Sequence, residues 1–234
     1  MASVQKPPPK RRVRWAKSYR VVNARFPPID LFERVADPDD WESLLELEML
    51  TNPRMRQEAG EISLVSPDDR VSGAGASWVM APFTHIGWPS RFSDGSYGVY
   101  YCARSLVTAA HEKAHHVGLF FAQTEEPLGT SMELRALVAA IDARFHDIRG
   151  GFDGAHDPNA YSDAQALARE LRKAGSNGIV YRSMRQKRGV CLAALRPKAV
   201  GLPISGPNLR FHFDGERIDR WFHFGEKAWQ AIGR

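Results

Sequence analysis

Residues 97–121, YGVYYCARSLVTAAHEKAHHVGLFF, run a β-prone stretch into a helix-forming one with only a short turn between. A chain that changes period this abruptly must fold as a mixture of sheet and helix, because neither element can bury its apolar side alone. The helical part is legible in detail. Ser105 stands where an N-cap is needed, and Leu106, Ala109, Ala110, Ala114 and Val117 recur on one side.

Other segments extend the mixture. DPDDWESLLELEML, from residue 37, predicts a helix with Asp at its start and Trp41, Leu44, Leu45 and Leu47 on its apolar side. Residues 52–95 are rich in Gly, Pro, Ser and Asp and predict a long, partly irregular stretch with short strands. Leu134, Leu137, Val138, Ile141 and Phe145 suit a second helix over 131–146. A third begins at YSDAQ, where Ser162 and Gln165 match a capping box, and stops at Gly175. GIVYRS and VCLAAL flank the turn RQKRG as paired strands, and LRFHFDGERIDRWFHF predicts a hairpin turning at Asp214-Gly215. Strands and helices are mixed without βαβ alternation, so the expected class is α+β in a single domain.

Charge is unevenly placed. The formal net charge is +5, yet residues 1–20 hold seven basic residues and no acid, leaving 25 basic against 27 acidic residues beyond them. A near-neutral body argues against a nucleic-acid-binding domain, and QKPPPKRRVRW suggests a basic, flexible leader over residues 1–17. The leader lacks the apolar centre of a signal peptide, and no 18-residue apolar run occurs. Cys102 and Cys191 are far apart and form no ligand pattern. The expectation is a cytoplasmic protein with no membrane contact and no disulfide framework.

HEKAH, residues 111–115, is a literal H-E-x-x-H and extends to H-E-x-x-H-x-x-G. On a helix it would hold zinc through His111 and His115, with Glu112 acting on metal-bound water. The extended pattern requires a histidine three residues after the glycine, where Phe121 stands. A solvated polar helix face explains the histidines without a metal, and the expectation is no metal site.

Glu112 also belongs to an ordered set. SYRVV places Arg20; SRFSDGSYGVYY places Arg91 and Tyr101; SLVTAAHE places Glu112; AQALARELRKAGSNGIVYRSMR places Ser183 and Arg185. Taken together, these four stretches resemble the RES-domain family, whose best-known members are NAD-degrading toxins of RES/Xre-type toxin–antitoxin pairs. The resemblance runs from about residue 18 to about residue 200, giving a catalytic domain over 18–200 and a C-terminal hairpin extension over 201–234 packed on it.

The resemblance implies an ADP-ribosyltransferase-like fold and cleavage of the nicotinamide–ribose bond of NAD, with phosphate or water as acceptor. It implies catalytic roles for Glu112, Arg20 and Ser183, and NAD contacts from Arg91, Tyr101, Tyr19, Arg185 and Ser162. NAD is then the substrate, and no cofactor is needed. An Xre/ParS-like antitoxin is the implied partner, with nucleic acid reached only through it, and a homo-oligomer is left open. The sequence departs from the family where Arg91 leads into Phe-Ser rather than Trp-Asn, and where Arg182 replaces a common proline. Ser162 and Ser183 compete for the family serine, and Ser183 is preferred because Ser162 has a capping role available. The alternatives are transfer of ADP-ribose to a protein, an inert binding relative, and the zinc peptidase.

Overall fold

The structure is a computed structural model and describes residues 7–24, 60–226 and 228–233. The helix expected from residue 37 lies outside the described residues. Among those described are eight strands: β1 (Lys10–Asn23), β2 (Tyr100–Ala103), β3 (Ser131–Asp147), β4 (Gly178–Arg182), β5 (Val190–Ala194), β6 (Ile204–Phe213), β7 (Ile218–His223) and β8 (Gln230–Ala231). Three α-helices accompany them: α1 (Ala76–Thr84), α2 (Leu106–Gln123) and α3 (Ser162–Lys173). All eight strands form one mixed sheet in the order β1-β2-β5-β4-β3-β6-β7-β8. The class is α+β, in one domain. Because β1 also pairs with β3, the first five strands of that order close on themselves. The β6–β7 hairpin extends the same sheet through β3, turning at Asp214-Gly215 with Gly215 at φ 93°.

The expected helix over 131–146 is instead β3, a 17-residue strand. Leu134 and Ala136 are buried in phase, then Leu137, Ala139 and Ile141 are buried in the opposite phase. A register shift between Arg135 and Leu137 marks the slip. A two-residue alternation that skips once produces apolar positions three and four apart, which imitates a helix. The slip also serves two cores. Leu134 and Ala136 face the cluster holding α2 and α3, whereas Ala139, Ile141 and Phe145 face the one holding α1.

Three further expectations are corrected. The basic leader does not run free to residue 17, since Lys10 to Lys17 form the first half of β1, paired to β3. Its charges are accommodated because Arg12 and Arg14 face Asp142 and Arg11 faces Asp147 across the pair. Residues 60–95 contain helix α1, two short 3₁₀ turns and an isolated Ser90–Ser93 bridge rather than strands. Tyr161 is the N-cap of α3 with no side-chain capping bond, and Ser162 is the first helical residue. The cap on α2 forms as expected, with Ser105 Oγ accepting from Thr108 N at 3.2 Å.

Candidate active site

Helix α2 buries Ala109, Ala110, Ala114, Val117 and Phe121 against the sheet. Glu112, on its flank, is half-buried and reaches the β4–β5 hairpin. There Ser183 Oγ donates to Glu112 Oε1 at 2.5 Å and accepts from the backbone N–H groups of Arg185 (3.2 Å) and Gln186 (2.9 Å). Two N–H donors fix the hydroxyl, and the hydroxyl fixes the carboxylate. Close packing makes this possible. A Cβ on Gly189 would stand 2.8 Å from both Ser183 Cβ and Thr108 Cγ2, so only glycine lets the hairpin sit against the first turn of α2.

Arg20, on β1, donates to Tyr101 O at 3.2 Å and lies over the Tyr100 ring at 4.7 Å. Burial pulls its pKa down from the ordinary value, as it does for Lys113, whose proximity to Arg20 adds to the effect. An arginine remains charged through such a shift. Lys113, close to Arg20, is a cation that family spacing did not flag although it follows Glu112 directly.

A second group of cations gathers on the loop after β3. Arg91 Nη1 donates to Ala155 O (3.3 Å) and Asp157 O (2.6 Å), and its guanidinium lies 4.6 Å over the Tyr161 ring. The nearby Asp94 pairs with Arg169 at 2.8 Å. Arg185 Nη2 donates to Pro158 O at 2.7 Å. His156 anchors the loop from below, with Nδ1 to Phe152 O (3.1 Å) and Nε2 accepting from Arg182 N (3.3 Å). Between loop and hairpin lies a recess of about 610 Å³, lined by Asp153, His156, Arg182, Ser183, Met184 and Gly189. That volume is ordinary for a small-molecule site.

The histidines of the H-E-x-x-H stretch are held neutral. Burial, with Arg185, His116 and Arg91, pushes His115 down to about 4. His116 is lowered by burial against the pull of Glu112, and His111, whose Nδ1 faces Arg185 O at 3.4 Å, is lowered by burial too. Among the described residues no three His, Cys, Asp or Glu side chains converge as a metal site.

Tyr101 is committed inward. Its hydroxyl accepts from Phe92 N (2.9 Å) and bonds Ser90 Oγ (2.8 Å), and burial pushes its pKa up to about 12. It supports the Arg91 loop rather than offering a free hydroxyl. Tyr19 packs against the main core, opposite Ala103 and Val138. Ser162 is exposed, with no hydrogen-bond partner among the described residues. The structure thus brings Glu112, Ser183, Arg91 and Arg185 to one region, sets Arg20 against Tyr100 and Tyr101 near Lys113, and leaves Tyr19 and Ser162 outside the hydrogen-bond network.

Residues 68–214 match the RES domain. The chain belongs to the RES domain family. Arg20 lies before the matched span, whereas Arg91, Tyr101, Glu112 and Ser183 lie within it. An uncharacterized protein, y4oC of Sinorhizobium fredii, is 28% identical over 215 residues, covering 89% of this chain and 87% of that protein. Among solved structures, the M. tuberculosis MbcT-MbcA toxin-antitoxin complex is a loose likeness, with a TM-score of 0.47 at 12% identity over 84% of this chain and 85% of that one. No helix of the described residues is long and apolar enough to cross a membrane.

Proposed function

We propose that this RES protein is a toxin enzyme that consumes NAD by breaking its nicotinamide–ribose bond. The observation that carries the reading is the half-buried Glu112 carboxylate, pinned through one oxygen by a Ser183 hydroxyl that two backbone N–H groups hold in place. When the C–N bond breaks, its electron pair leaves with neutral nicotinamide and positive charge develops on the ribose. A preorganised carboxylate stabilises that charge in place, with no reorganisation during the step. An oxygen of phosphate or water then bonds to the ribose carbon; water's proton passes to solvent.

The dinucleotide's pyrophosphate calls for permanent cations, which arginine supplies with bidentate geometry. Arg91 and Arg185 are suited to it once they exchange their carbonyl partners for phosphate oxygens. In the cytoplasm such an activity requires restraint, and an Xre/ParS-like antitoxin covering this region is the partner proposed from the family. The decisive assay incubates purified protein with NAD, with and without phosphate, and separates the products. Free nicotinamide with ADP-ribose or its 1″-phosphate is expected, and the second product identifies the acceptor. Glu112→Ala should lower turnover by about 10²–10³-fold in protein that still unfolds cooperatively on heating. Full activity in that variant sinks the assignment, and label appearing on protein would mark a protein acceptor instead.

A further inference from the structure

Beneath Glu112 lies a buried thiol that the family motif does not include. Cys191, on β5, is 2% exposed, and its Sγ stands 3.8 Å from Glu112 Oε1, the same oxygen that Ser183 engages. Directly opposite Cys191 in the β4–β5 register is Tyr181, 5% exposed, which helps seal the thiol from water. Two protons point the same way: S–H to carboxylate and Ser183 O–H to carboxylate. Burial first, then the nearby Glu112 charge, raises the Cys191 thiol well above its ordinary pKa, so it stays a donor rather than a thiolate. Oε2 of Glu112 accepts no hydrogen bond from the described residues, which leaves it the oxygen that can face a ligand.

We propose that Cys191 is a positioning residue for Glu112, its thiol forming a second anchor that holds Oε1 and turns Oε2 toward the substrate. The proposal rests on Glu112 being the reacting carboxylate. A buried thiol is a weak donor and is often simply a small apolar filler, so the test must separate the two roles.

Cys191→Ala removes the donor and Cys191→Ser keeps one. If the thiol positions Glu112, Cys191→Ala lowers kcat for NAD consumption about fivefold at constant KM, the size of one modest hydrogen bond, and Cys191→Ser recovers most of the loss. A packing role predicts the reverse order, because a serine hydroxyl is costlier than a methyl group in an apolar site. The S–H stretching band in the infrared, recorded in a Cys102→Ala background so that one thiol remains, gives a readout independent of NAD. It should move to higher frequency in Glu112→Ala, where the acceptor is gone. A band that Glu112→Ala leaves in place, or a serine variant no better than alanine, overturns the proposal. If the band moves but the unaltered protein leaves NAD intact, the assigned reaction falls while the anchoring of Glu112 by Cys191 stands.

Discussion

Glu112 and Arg91 occupy the same neighbourhood and are held in opposite ways. The carboxylate is gripped by side-chain donors, themselves buried and fixed by β4, β5 and the hairpin turn between them. The guanidinium is gripped by main-chain carbonyls of a loop and by a tyrosine face. Releasing Glu112 would strand Ser183 and a buried thiol. Releasing Arg91 would expose two carbonyls that water can solvate. The first arrangement suits a group that must not move during reaction, the second a cation that trades partners when a phosphate arrives.

This contrast can be broken at its stronger end first. Ser183→Ala removes the shorter anchor and leaves two N–H donors without their hydroxyl, so kcat should fall roughly 10- to 100-fold, with KM little changed. A loss confined to KM would place Ser183 in binding instead. Gly189→Ala attacks the same anchor through the backbone. Its Cβ meets Ser183, Thr108 and the Gln186 carbonyl at 2.8–2.9 Å, which should cost about 1–3 kcal/mol in chemical denaturation and lower activity with it. At the weaker end, Arg91→Gln should raise KM for NAD by about tenfold or less with kcat nearly intact. A kcat collapse there would show that the cation is as fixed as the carboxylate.

The smallest expected effect concerns pH. His115 is about 4 in the folded protein against about 6.5 for a free histidine. Its neutral form is favoured by folding, so stability is full above about 6.5 and declines as pH falls toward 4. Thermal midpoints measured across that window should drop with acidity, and His115→Gln should flatten part of the slope. A slope unchanged in that variant would move the effect to His111, His116 or His156, which burial also lowers.

Sequence reasoning reached the parts of the fold where one rule governs a whole element. Helix α2 has a single apolar period and a side-chain cap, and the β6–β7 hairpin has Asp-Gly at its turn, so both were legible. Strand β3 obeys two phases in succession, and β1 carries arginines whose acidic partners lie across the sheet, 130 residues away for Arg12 and Asp142. Neither fact can be seen within a local window. At the site, the motif set named Glu112 and Ser183, but their 71-residue separation hides the bond between them. The loop carbonyls that hold Arg91 and Arg185 had no signature at all, since any residue supplies a carbonyl. Cys191 was visible only as an unpaired cysteine in a strand.

The closure of β1, β2, β5, β4 and β3 has a bearing on how the protein meets copies of itself. Open sheet margins are templates on which a second chain can add a strand, the first step toward aggregation. Here β1 is zipped to β3 along nearly its whole length, and the far end of the order terminates in β8, only two residues long. A margin that short offers a passing strand too few backbone groups to grip. The chain can therefore present a cation-rich working surface while giving unfolded neighbours little foothold for strand addition at the β8 margin.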